Sequence, residues 1–355
     1  MLAFILAVAT PAQQAIAYYQ IIDLGTLDGR PYSYARSINN LGQIVGFAEK
    51  LPVLPEPSSR IATLFDPTGS GNNIALCETV SEAWSINNLG QIAGRVGGRA
   101  TLFDPTGGGN NIDLDPGGMY SFAQSINDHG QIVGMAEGRA TLFDPTGGGN
   151  NIDLGTLGGT GSEARSINNL GQIVGTATDS LGRWRATLFD PTGGGNNIDL
   201  GTTLGGTWSE ASSINNLGQI VGQSWVSLRE SRATLFDPTG GGNNIDLGTL
   251  PGEGRWISSA FSINNIGQIV GTDGRRAVLF DPTGGGNNIN LNTLIDPSLG
   301  WTLTTAYSIN DYGWIVGVGI NRDGYERAYL LIPEPASAIT LGFGGVFFAL
   351  RRRRR

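Results

Sequence analysis

The sequence predicts an all-β chain: a seven-bladed β-propeller of four-stranded blades, closed by the N-terminal strand pairing with the last blade. Three observations predict it. A set of short motifs recurs seven times, and each repeat holds four strand-like segments. The array also begins with the segment type that its last repeat lacks.

Ser-Ile-Asn begins at Ser37, Ser85, Ser125, Ser166, Ser213, Ser262 and Ser308, a period of about 45 residues. Arg-Ala-x-Leu begins at Arg99, Arg139, Arg185, Arg232, Arg276 and Arg327, with one residue inserted after Arg60. Ile-x-Leu begins at Ile22, Ile74, Ile112, Ile152, Ile198, Ile245 and Ile289. In the repeat that starts at Ser162, strand a is EARSI, b is QIVGTA, c is RATLF and d is NIDLGTL. Each is rich in Ile, Val, Leu or Thr and bounded by Asn, Gly or Pro. The a–b turn is NNLG, where Gly accepts a positive φ. The c–d turn, DPTG, has Asp, Pro and Gly where a type I turn favours them. No segment of ten residues carries helical periodicity.

The first element is a d strand, Gln20 to Leu27, and the last is a c strand, Arg327 to Ile332. A ring needs that arrangement, whereas a linear array would expose two strand edges. Ala35, Ala83, Ala123, Ala164, Ala211, Ala260 and Ala306 precede the Ser-Ile-Asn units by one variable residue, and small side chains suit innermost strands. The propeller is expected over 18–332.

The 56 glycines and 16 prolines fall short of a disordered composition, and 39% hydrophobic residues suffice for a core. The net charge is −8, and the five terminal arginines conceal a body more acidic still. An acidic body argues against nucleic acid as a partner. One cysteine, Cys77, and one histidine, His129, allow no internal disulfide and no Cys/His zinc site. They also leave almost no material for a triad. Non-repeated acids such as Glu137, Asp179, Glu230, Glu253 and Asp323 show no spacing that singles out a catalytic pair. No catalytic residue, cofactor or metal ligand is assigned. The Asp of DPTG and the paired Asn residues read as turn formers rather than calcium ligands.

If the strands alternate, the near-constant a–b and c–d turns share one face. The variable b–c and d–a segments share the other, where recognition usually sits. That face is expected to carry Trp184, Trp208, Trp225, Trp256 and Trp301, whose rings offer flat surfaces to sugars or pack between blades. The arginines that open strand c, Arg185 and Arg232 among them, either form a ring for an acidic polysaccharide or repeat one structural contact seven times.

The N-terminal run MLAFILAVATPAQQAIA has an apolar stretch and an Ala15-Ile16-Ala17 cleavage pattern, the marks of a secretory signal peptide over 1–17, though it lacks a positive n-region. A buried first strand is the alternative. At the other end, Pro333-Glu334-Pro335 precedes an apolar run, Ala336 to Leu350, and then Arg351, Arg352, Arg353, Arg354 and Arg355. As a helix the run would span ~22 Å, short of a ~30 Å hydrocarbon core, with the arginines as a cytoplasmic stop. A plain tail anchor is the alternative.

The tail over 333–355 resembles the PEP-CTERM sorting signal of Gram-negative bacteria. The resemblance implies transient inner-membrane insertion, processing by an exosortase near Pro333-Glu334-Pro335, and release or attachment at the cell surface, usually in exopolysaccharide producers. SINNLGQIVG and IDLGTLGG resemble the HAF family of extracellular repeats, over roughly Ile21 to Ile332. Together these imply an exported, non-catalytic surface or matrix protein that associates with exopolysaccharide or mediates adhesion. A propeller-scaffold glycosidase or polysaccharide lyase is the second reading, and a purely structural matrix component the third. Oligomeric state does not follow from the sequence.

Overall fold

The protein is described by a computed structural model over residues 18–50, 59–227, 229–251 and 257–334. These residues form seven antiparallel sheets of four strands each, a seven-bladed propeller. Blade 1 shows the pattern, with a at Tyr32–Ile38, b at Ile44–Lys50, c at Ser59–Phe65 and d at Ile74–Ala75. Blade 7 takes a, b and c from Thr302–Ile309, Ile315–Ile320 and Glu326–Pro333, and its outer strand from Tyr19–Asp23. Tyr19 pairs with Pro333 and Asp23 with Tyr329, so the chain's first described strand closes the ring. Pro333, the first residue of the expected sorting motif, therefore ends the last strand, and Glu334 N–H donates to Tyr18 O at 2.8 Å. The expected leader with Ala15 and Ala17, the tail from Pro335 through Arg355, Trp256 and Glu253 lie outside the described residues. Among the described residues no helix is long and apolar enough to cross a membrane.

The core is not central. Seven apolar clusters form, one at each blade interface. Between blades 3 and 4, Val133, Ala140 and Leu154 meet Ala164, Ile167, Ile173 and Phe189. Strand d is shorter than expected for this reason. In blade 3 only Ile152–Asp153 pair, and Leu154 then turns inward to full burial. Its carbonyl accepts from Asn197 Nδ2 of the next blade at 2.8 Å.

Each innermost strand carries a β-bulge at the same place, after its fully buried Ala. In blade 4, Ala164 pairs with Gly175 and Ser166 with Val174, so Arg165 is the extra residue. The glycine of each QIVG segment makes room for it. A Cβ on Gly175 would lie 2.0 Å from Glu163 O, and on Gly222 2.0 Å from Glu210 O. Only a residue without Cβ fits beneath that carbonyl.

The paired Asn residues do more than shape turns, which corrects the sequence reading. Asn168 Oδ1 accepts from Leu170 N and Gln172 N inside the turn, while its Nδ2 reaches Asn215 O of the next blade at 2.9 Å. The same inter-blade bond runs from Asn39 round to Asn310, which returns to Asn39 O at 3.1 Å. A second closed ring runs through Asn40, Asn88, Asp128, Asn169, Asn216, Asn265 and Asp311. A third links each Ser Oγ of Ser-Ile-Asn to the Ile N–H of a neighbouring blade. The triplet recurs in all seven blades, and in each it fastens one blade to the next.

Candidate functional site

The bulge sets the chemistry of the channel. A bulge re-aims the extra side chain, and here it turns one residue per blade toward the lumen. Those residues are Arg36, Trp84, Gln124, Arg165, Ser212, Phe261 and Tyr307. With the Ser ring and Glu82 they line a funnel of about 430 Å³ on the side of the variable segments. They occupy the one position of Ala-x-Ser-Ile-Asn that differs between repeats. That difference was legible in the sequence, but the bulge that gives it meaning was not.

A second cavity opens from the same side between blades 4 and 5. It has a volume of about 260 Å³ and is lined by Glu163, Arg165, Thr176, Trp184, Trp208, Glu210 and Trp225. Three of the five expected tryptophans thus converge. They do not sit on loops as the sequence suggested. Trp184 opens strand c of blade 4 (Trp184–Phe189) and pairs with Thr178. Trp208 opens strand a of blade 5 (Trp208–Ile214) and lies directly across from Trp225 in strand b, Ile220–Ser227. The reason is strand length. Strand b has seven residues in blade 4 and eight in blade 5, against five in blades 2 and 3. The longer strands carry the rings up as a wall. Trp184 is 40% exposed and Trp208 43%, while Trp225 is half-buried. Trp301 is not brought here; it packs on the blade 7 core, edge-on to Tyr329 at 6.4 Å.

Two carboxylates and one guanidinium form the cavity's polar floor. Arg165 Nη2 lies 3.0 Å from Glu210 Oε1 and 3.4 Å from Glu163 Oε2. Glu210 also accepts from Gln223 Nε2 at 2.7 Å, and Gln223 in turn accepts from the Ser259 hydroxyl. Burial pushes the Glu163 carboxyl above its ordinary range; Arg165 opposes that shift and Glu210 adds to it. Neither glutamate was singled out in the sequence, because Glu-Ala recurs at Glu82, Glu163 and Glu210 and reads as part of the repeat.

Six of the seven arginines that open strand c are held in ion pairs, while Arg327 lies over the Tyr325 ring, 5.8 Å from its centroid, with its Nε buried and unpartnered. Arg185 pairs with Asp199 of its own blade at 3.1 Å and Arg232 with Glu230 at 2.9 Å. Arg99 and Arg139 pair likewise with Asp113 and Asp153, Arg276 with Asp273, and Arg60 with Glu49 and Glu82. The DPTG aspartates serve their own turns. Asp144 accepts from the Thr146 hydroxyl, Thr146 N–H and Asn150, which hold its carboxyl at about 2. Among the described residues no group of three or more His, Cys, Asp or Glu side chains is arranged to hold a metal ion. Cys77 is a free thiol.

No family model matches the chain, and no curated protein does. Among solved structures it is similar to TolB from Acinetobacter baumannii, at 15% identity and a TM-score of 0.42, covering 81% of this chain and 63% of that one. The chain therefore spans less than two thirds of the length of TolB. It is also similar to a gluconolactonase from Xanthomonas campestris, at 11% identity and a TM-score of 0.43, covering 92% of this chain and 94% of that one.

Proposed function

We propose that this propeller is an exported, non-catalytic surface or matrix protein that binds exopolysaccharide through the cleft between blades 4 and 5. One observation carries the reading: Trp184, Trp208 and Trp225 come from separate segments and meet in one cavity above Glu163, Arg165 and Glu210. Two of the rings are substantially exposed, where they can stack on pyranose faces. The Glu163 and Glu210 carboxylates that line the cleft can accept hydrogen bonds from sugar hydroxyls. The leader and sorting tail read from the sequence supply the route, through the inner membrane with exosortase processing to the cell surface.

The test is affinity electrophoresis of the exported protein in the exopolysaccharide of its own host. The Trp184→Ala/Trp208→Ala double variant removes exposed rings and is expected to keep the fold. Binding should weaken about tenfold or more, given ~0.5–1.5 kcal/mol per aromatic contact. Unchanged binding would remove the cleft from the account.

Glycoside hydrolysis is the second reading, favoured by the two convergent carboxylates and the raised Glu163. Arg165 ties both acids together, which suits a fixed floor better than an acid and a nucleophile that must change protonation in turn. Release of new reducing ends, abolished by Glu163→Gln, would replace binding with catalysis; none is expected.

A further inference from the structure

We propose that the central funnel is a second subsite, which takes the carboxylate of an acidic sugar with Arg36 as the anion clamp. This inference rests on the saccharide reading above and specifies the ligand.

Arg36 stacks on Tyr307, with its guanidinium carbon 4.1 Å from the ring centroid and 5.4 Å from that of Phe47. It makes no ion pair and no hydrogen bond with any described residue, and its Nε is buried without a partner. The aromatic rings hold the guanidinium in place, and its buried Nε–H is left without an acceptor. Its planar fork suits a carboxylate.

The other charges of the funnel are already matched. Glu82 is held by Arg60 at 2.6 Å and by Arg95 at 3.1 Å, and Arg165 faces Glu163 and Glu210. Glu49 pairs with Arg60, and Glu326 accepts from the Tyr34 hydroxyl. Arg36 therefore leaves a local positive centre inside a protein of net charge −8, where a narrow cavity concentrates its field.

The serine ring points the same way. Ser37, Ser85, Ser125, Ser166, Ser213, Ser262 and Ser308 each use Oγ to accept a neighbouring Ile N–H. No described acceptor takes their hydroxyl hydrogens. The funnel thus collects unspent donors, while its one carboxylate, Glu82, is already taken by Arg60 and Arg95, a pattern an oxyanion completes. Trp84, Phe261 and Tyr307 supply apolar walls around it, and about 430 Å³ lies within the range of small-ligand sites. Arg165 lines both the funnel and the tryptophan cleft, so one chain of sugars can touch both.

The test uses calorimetric titration of the exported protein with a glucuronate oligosaccharide and with its carboxyl-reduced counterpart. The acidic form should bind about tenfold more tightly, with a preference that shrinks as salt rises. Arg36→Gln should erase the preference while leaving binding of the reduced form intact. Ser212→Glu removes no packing and places a carboxylate in the funnel, so it should suppress the acidic ligand even if Arg36→Gln fails to fold. Equal binding of both oligosaccharides, or a preference that survives both substitutions, would overturn the inference. So would displacement by inorganic sulfate as effective as by glucuronate, which would leave an unselective anion hole. Failure of the cleft is seen separately: the Trp184→Ala/Trp208→Ala variant would then bind the reduced form as wild type does.

Discussion

The two mouths of the central channel are built from neighbouring residues of the same seven strands. At the turn-bearing mouth each blade contributes Ile-Asn-Asn or Ile-Asn-Asp, and these side chains fasten the next blade. Two residues earlier in the strand, at the other mouth, the blades present Arg36, Trp84, Gln124, Arg165, Ser212, Phe261 and Tyr307. Residues that close the ring have partners on two blades, so a change in one leaves another unsatisfied. Residues at the bulge face the lumen, and apart from Arg165, which spans Glu163 and Glu210 of two blades, none holds an ion pair between blades, so most can change singly. The first set is nearly constant among the seven repeats and the second varies, and the varied set is where a ligand can be specified.

The largest effect should come from the glycine that permits the bulge. Gly175→Ala places a Cβ 2.0 Å from Glu163 O. It should cost about 4 kcal/mol or more, read as a fall in the denaturation midpoint, because backbone rather than side chain must move. A mild effect would break the argument that the bulge is obligatory.

Next comes the contrast between mouths. Asn168→Ala removes two turn bonds, the Gln172 contact and the bond to Asn215 at a site 4% exposed. It should cost about 3 kcal/mol. Ser212→Ala at the variable mouth should stay within about 0.5 kcal/mol. Similar losses at both would remove the distinction.

The smallest effect is in pH dependence, where the two faces should respond with opposite sign. Asp104, Asp144, Asp190, Asp237 and Asp281 are held at about 2, below the ordinary 3.8, chiefly by the Thr hydroxyl and N–H of their own turns. Their contribution is present above pH 4 and is lost as pH falls toward 2. Glu163 is raised above its ordinary 4.5, so its contribution is present at low pH and lost as pH rises beyond that value. Asp144→Asn should lessen the acid-side loss. Glu163→Gln should raise the melting temperature at pH 7 and leave it unchanged at pH 4. Thermal melts across this range check both.

The sequence alone determined the propeller, its blade number and the way it closes. Those follow from local signals that repeat: strand segments bounded by turn residues, and a d-type segment at the start to complete a c-type end. It also marked the tryptophans as departures from the repeat. Only the tertiary structure decided which of them meet. Trp208 and Trp225 are seventeen positions apart yet directly opposed, and Trp184 joins them from the neighbouring blade. Trp301, alike on paper, packs on a core instead. The funnel was hidden for a related reason. In a regular strand the residue between Ala and Ser would face away from its neighbours, and only the bulge, made possible by a glycine on the adjacent strand, turns Arg36 and its counterparts inward. Which way a side chain points is set by the pairing of two strands, and one segment read alone does not contain it.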